Sequence, residues 1–129
     1  MPWIHLVLLL ALAEFLYFLF EVGRARYRYG VRAPATTGHD MFERYYRVQM
    51  NTQEQLLLFI PSLLAFGYYL SPYVGCALGL VFILGRFIYF RHYVQDPTRR
   101  TLGFTLSIWP NAMLLAGGLF GAARAAFYF

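Results

Sequence analysis

Residues 3–22 read WIHLVLLLALAEFLYFLFEV, an apolar run interrupted only by His5, Glu14 and Glu21. A helix of this length covers about 30 Å, the thickness of the hydrocarbon core of a bilayer. Working outward, three further runs of the same kind follow, at about Thr52–Leu70, Tyr73–Tyr93 and Leu102–Phe127. Each is long enough to span. The first run is not expected to be a cleaved leader, because no positive segment precedes it and Glu14 sits within it. The expected architecture is all-α: a single transmembrane domain over residues 1–129, built as a membrane-spanning four-helix bundle.

Composition agrees with a lipid environment. Of the 129 residues, 60% are apolar, 20% aromatic and only 13% charged, with a mean hydropathy of +0.49. Soluble domains carry about a quarter charged residues, and disordered chains lack the hydrophobicity seen here. The net charge is +5, and all eleven basic residues are arginine. Arginine presents a planar fork that matches carboxylates and phosphates, so the choice points to bound anions as well as to membrane orientation. Nucleic acid is not an expected partner of a chain made mostly of membrane-length apolar runs. The lone Cys76 excludes redox chemistry by an intrachain cysteine pair. His5, His39 and His92 lack metal-ligand spacing, and no phosphate-binding or dinucleotide glycine pattern is present, so no metal is expected.

The connections between the runs differ in charge. The first holds Arg24, Arg26, Arg28 and Arg32 before Pro34-Ala35-Thr36-Thr37-Gly38; the third holds Arg91, Arg99 and Arg100 around Asp96 and Pro97. The second, Ser71-Pro72, is uncharged. The positive-inside rule then places connections one and three in the cytosol and both termini on the opposite side, with only Arg124 against it. Asp40, followed by Glu43, reads as an N-cap box that starts the second helix near Met41, well before its apolar part, and Pro61 is expected to kink it.

Ionisable groups in or beside membrane helices are costly and therefore candidates for function. Arg44, Arg47, Asn51 and Glu54 step by three and four along the second helix and share a face; Gln49 and Gln55 lie off this line, and Gln55, four after Asn51, borders it. By itself this row also fits a solvated or interhelical ion-pair face. Arg86, Tyr89 and Tyr93 form a similar row on the third helix. Interfacial tyrosines ordinarily act as anchors, and Arg86 is free to pair with Glu54 or Glu21. Arg99 and Arg100 are by default orientation charges. Glu14 and Glu21, seven apart on the first helix, fit burial against neighbouring helices or an ion path. Together, the two rows supply arginine forks for two carboxylates, Glu54 for an ammonium, and Asn51 and tyrosine hydroxyls for peptide groups.

The stretch Pro34-Ala35-Thr36-Thr37-Gly38 and the pattern FERxxRxQxNxxE over Phe42–Glu54, continued by Gly85-Arg86-Phe87-Ile88-Tyr89, Tyr93 and Arg100, resemble the MAPEG family. These are membrane-associated proteins of eicosanoid and glutathione metabolism, and the similarity is to the shorter bacterial members. The resemblance implies a homotrimer that holds glutathione, as co-substrate, at each subunit interface near the cytosolic side. It implies that Arg47, Asn51 and Glu54 bind glutathione with help from Gln49, Arg26, Tyr89 and Tyr93, and that Arg100 stabilises the thiolate as the catalytic residue. The implied partners are a hydrophobic electrophile or lipid and the membrane lipids. The implied activity is conjugation of glutathione to hydrophobic electrophiles, with reduction of lipid hydroperoxides as a second activity. The alternative is a non-catalytic lipid-binding scaffold, which the family also contains. Tyr27 and Gln55 depart from the basic and aromatic residues of some eicosanoid synthases, which points away from a leukotriene-type substrate.

Overall fold

The computed structural model describes residues 1–128, with side chains through residue 127. Four long helices account for nearly all of it: α1 (Pro2–Tyr29), α2 (Asp40–Tyr69), α3 (Pro72–Gln95) and α4 (Thr101–Tyr128). A single 3-10 turn, Pro97–Arg99, links α3 to α4. α2 and α3 pair at the centre; α1 lies against both of them and α4 against both. α1, α3 and the stretch Pro97–Phe127 are each long and apolar enough to cross a membrane. α2 falls short by composition, because its first half carries Asp40, Glu43, Arg44, Arg47 and Glu54; the run expected at Thr52–Leu70 is its apolar remainder.

The helix ends follow from local chemistry. α1 stops at Gly30, whose φ of 71° is left-handed, and the Arg26 carbonyl accepts the Val31 N–H at 3.1 Å to close the turn. α2 starts one residue earlier than expected. The cap is His39, whose Nδ1 accepts the Met41 N–H at 3.1 Å, and Asp40 is already helical. Glu43 still reaches back, but its carboxylate accepts from Gly38 N–H at 3.2 Å. The imidazole is held for this role by stacking on Tyr29, with ring centroids 4.5 Å apart. α2 then runs unbroken through Pro61. Ser71 caps α3 by accepting the Val74 N–H at 3.2 Å, and Pro72 takes the first helical position, where its missing N–H costs nothing.

One apolar core fills the bundle centre, built on Ile4, Val7, Ala11, Leu56, Phe59, Leu63, Phe66, Phe82 and Leu114. Phe59 and Phe82 stack there at 4.1 Å. Nearer the basic end, a second cluster joins Phe18, Val48, Tyr89, Phe90 and Tyr93. Between α3 and α4 the backbones approach closely because glycines face them. A Cβ on Gly85 would meet the Leu106 backbone at 2.7 Å, and one on Gly103 would collide with the backbone of Tyr89. The bundle thus fixes Arg86 and Tyr89 at the tightest helix crossing.

Candidate functional site

Arg44 is the first residue of the α2 row, and it is occupied by the fold. Its Nη1 donates to the Val94 and Gln95 carbonyls at 2.9 and 3.0 Å, and its Nη2 pairs with Asp40 at 3.0 Å. It caps the C-terminal end of α3, where carbonyls are otherwise without donors, and so brings the start of α2 to the end of α3. Arg26 performs a similar task from α1. Its Nη1 donates to the Ala35 carbonyl at 2.7 Å while its guanidinium covers the Phe42 ring at 4.8 Å.

Of the remaining members of the α2 row, Arg47 and Glu54 point outward, and Asn51 turns its Oδ1 inward. Arg47 and Glu54 are exposed, Gln49 and Asn51 half-buried. Neither Arg47 nor Glu54 makes a hydrogen bond or ion pair with any described residue. Arg47 borders a cleft of about 280 Å³ with Thr36, Thr37, Glu43, Tyr46 and Met50, under the loop that Arg26 pins. Gln49 makes only a weak contact, Nε2 to Met50 Sδ at 3.6 Å.

The α3 row lies behind them and is buried: Arg86, Tyr89 and Tyr93 are 0, 5 and 9% exposed. Tyr89 and Tyr93 stack at 5.4 Å, and the Arg86 guanidinium covers Tyr89 at 4.4 Å. Arg86 pairs with neither Glu54 nor Glu21. Its Nη1 donates to Asn51 Oδ1 at 2.8 Å and Thr52 Oγ1 at 3.2 Å, and its Nε donates to Ser107 Oγ at 2.9 Å. The Ser107 hydroxyl in turn donates to the Gly103 carbonyl at 2.7 Å. Glu21 instead pairs with Arg24 at 2.9 Å, and Glu14 is half-buried on α1. Arg100 is exposed just before the start of α4.

Arg86 thus joins Asn51 to Tyr89, with Tyr93 stacked behind; Arg47 and Glu54 lie about one helical turn to either side of Asn51 on α2, and Arg100 follows the end of α3, to which Arg44 ties the start of α2. An outward cation, an outward carboxylate, an amide and tyrosines suit a zwitterionic, carboxylate-rich ligand. Gln55 does not join this set. Its side-chain carbonyl accepts from Asn111 Nδ2 at 2.7 Å and ties α2 to α4. Two participants were not singled out from the sequence: Thr52 and Ser107 hold Arg86, and they lie 34 and 21 residues from it.

A family model described as the MAPEG family matches residues 4–120. The chain belongs to the MAPEG family. It is 44% identical over 117 residues to an uncharacterized protein of Synechocystis sp., covering 91% of this chain and 85% of that one. It is 41% identical over 108 residues to microsomal glutathione S-transferase 2 of Homo sapiens, covering 84% and 74%. It is 36% identical over 118 residues to leukotriene C4 synthase of Cavia porcellus, covering 85% and 79%. This MAPEG chain is an integral membrane protein, by family and by its long apolar helices.

Proposed function

We propose that this chain is a membrane glutathione transferase that joins the glutathione thiolate to apolar electrophiles arriving from the bilayer. The observation that carries the reading is the pair Arg47 and Glu54, both exposed and without a partner among the described residues, flanking Asn51 on the family's own motif. Charged groups beside membrane helices are retained at a cost, and free ones of opposite sign call for a ligand with both signs. Glutathione, with two carboxylates and one ammonium, meets that demand, and relatives named microsomal glutathione S-transferase 2 support the same reading.

In this mechanism Arg47 takes a carboxylate and Glu54 the ammonium, while Asn51, Gln49 and Tyr89 fix the peptide groups. Tyr93 supports Tyr89 through the ring stack, and Arg26 holds the loop over the site and contributes its remaining donors. Arg100 stabilises the thiolate. A thiol of pKa about 8.5 is only about 3% ionised at pH 7, and lowering that to about 6.5 gives roughly 75% thiolate. The shift corresponds to about 2.7 kcal/mol. One guanidinium about 4 Å away supplies about 4 kcal/mol at an effective dielectric of 20, so a single arginine suffices. The thiolate then attacks the electrophilic carbon, and the leaving group departs with its electron pair. The same thiolate is the reagent for reducing lipid hydroperoxides. Gln55, committed to Asn111, and Tyr27, 94% exposed, favour a general electrophile over a leukotriene precursor.

The site opens outward from α2, so we place a second copy of the chain over it, in a homotrimer. The arginines of the first and third connections orient that end towards the cytosol. The test is purification in detergent, titration with glutathione and turnover of an activated aryl halide. Saturable binding with turnover supports the reading; binding without turnover of any electrophile or hydroperoxide would move this chain to the non-catalytic scaffold class.

A further inference from the structure

Arg86 is the most deeply buried charge in the bundle, and nothing in the proposed reaction uses it directly. Its side chain is 0% exposed, yet its three hydrogen-bond acceptors are neutral oxygens on α2 and α4. A guanidinium carries donors and no acceptor, so whatever faces it must present oxygen. For Asn51 this settles the orientation of the side-chain amide. Oδ1 is turned inward to Arg86 at 2.8 Å, and the two N–H bonds of Nδ2 are turned to the other side. Among the described residues Nδ2 has no acceptor, and it is not among the buried atoms left without a partner. It stands open on the same helix as Arg47 and Glu54.

Resting on the glutathione reading above, we infer that Arg86 is a positioning residue that sets the polarity of Asn51, so that the site offers glutathione a donor there. Asn51 then binds an acceptor, a peptide carbonyl or carboxylate oxygen of glutathione, and does not bind a peptide N–H or the ammonium. The orienting group is itself immobilised from three directions. Ser107 holds Nε, Thr52 shares Nη1, and the Tyr89 ring lies under the guanidinium at 4.4 Å. Ser107 is in turn fixed by donating to the Gly103 carbonyl at 2.7 Å. Without such a partner, a half-buried asparagine presents either end of its amide, because the two ends have the same shape. The proposed ligand contact of Asn51 therefore rests on a side chain that never meets the ligand.

The test is a double-mutant cycle read on glutathione affinity in the detergent-purified protein. Arg86→Met and Asn51→Ala should each weaken binding about tenfold, as expected for one lost or misoriented hydrogen bond to a charged ligand. The pair together should bind no worse than Asn51→Ala alone, because Arg86 acts through Asn51. A merely structural arginine gives additive losses, about a hundredfold, and additivity overturns the inference. Asn51→Asp provides the measurement that needs no change at Arg86. Its carboxylate still accepts from Arg86 but offers no N–H outward, so the thermal midpoint should hold while glutathione affinity falls at least tenfold. Wild-type affinity in Asn51→Asp overturns the inference as well. If the wild-type protein binds no glutathione, the functional reading fails and this inference fails with it; binding with an additive cycle removes the inference alone.

Discussion

The roles proposed for the exposed arginines Arg47 and Arg100 are separable by kinetics. If Arg47 holds a glutathione carboxylate as proposed, in both the ground state and the transition state, Arg47→Ala should raise the glutathione KM about tenfold or more with kcat nearly unchanged, and Glu54→Ala should do likewise. With Arg100 in its proposed role of stabilising the thiolate alone, Arg100→Ala should instead lower kcat by about 10²-fold with little change in glutathione affinity. Steady-state kinetics on the purified variants separates the two patterns, and an Arg100→Ala protein with wild-type kcat moves the activating role to another arginine. The Asp96 carboxyl supplies a pH-dependent feature away from the site. Hydrogen bonds from the Thr98 N–H and hydroxyl, at 3.0 and 2.9 Å, hold it below the usual carboxylate range. A depressed pKa in the folded state means that these bonds stabilise the turn above the ordinary carboxylate pKa and are lost as pH falls through the lowered value. Nuclear magnetic resonance titration of the Thr98 amide should therefore show a midpoint below about 3.9. A midpoint at or above that value contradicts the assignment.

Helix contacts are legible in the sequence to different degrees. The apolar runs predict all four helices because length and hydropathy are local properties, and Ser71 and Pro72 mark a helix start by their own backbone preferences; the end of α1 is less legible, for Arg24, Arg26 and Arg28, expected in the first connection, lie in its last turns before Gly30. The start of α2 is off by one residue because the His39 imidazole, steadied by Tyr29, competes with Asp40 for the cap. The α2 and α3 rows are visible as spacings of three and four, yet spacing does not say which members face outward. Arg44 and Arg47 look alike in the sequence, and only the packing of α2 on α3 ties the first to the Val94 and Gln95 carbonyls and leaves the second free. Ser107 illustrates the limit: a serine in an apolar helix signals a local bond to the carbonyl four residues back, and nothing local pairs it with Arg86. The α3 and α4 contact gives a prediction of its own. Gly103→Ala puts a Cβ into the Tyr89 backbone, so overpacking should cost about 1–3 kcal/mol and weaken glutathione binding as Tyr89 shifts. Gly23→Ala is the control. Nothing lies within 4 Å of its Cβ, so the change should be neutral or stabilise α1 by up to about 1 kcal/mol. Thermal denaturation of both variants decides the point, and a Gly103→Ala protein as stable as wild type contradicts so close an approach.

For the whole molecule, the distribution of charge matters more than its total. The +5 net charge is concentrated at the end where α1 and α3 finish and α2 and α4 begin, with Arg86 inside the bundle and Arg124 towards the other end. The same outward side of α2 that bears Arg47 and Glu54 continues into Leu57 and Tyr68, which are 76 and 72% exposed. A face that passes from charged to apolar is suited to a second copy of the chain at the membrane edge. Light scattering in detergent should give about three times the 15.0 kDa chain mass, and a fully active monomer would contradict the trimeric site. The central claim, that this bundle binds glutathione and ionises its thiol, is tested most directly by stopped-flow ultraviolet absorbance of the thiolate on mixing the purified protein with glutathione at pH 7. The wild-type protein should give a thiolate signal that saturates with glutathione, reaches most of the bound thiol and is lost in Arg100→Ala. A wild-type signal no greater than the roughly 3% thiolate of free glutathione would contradict it.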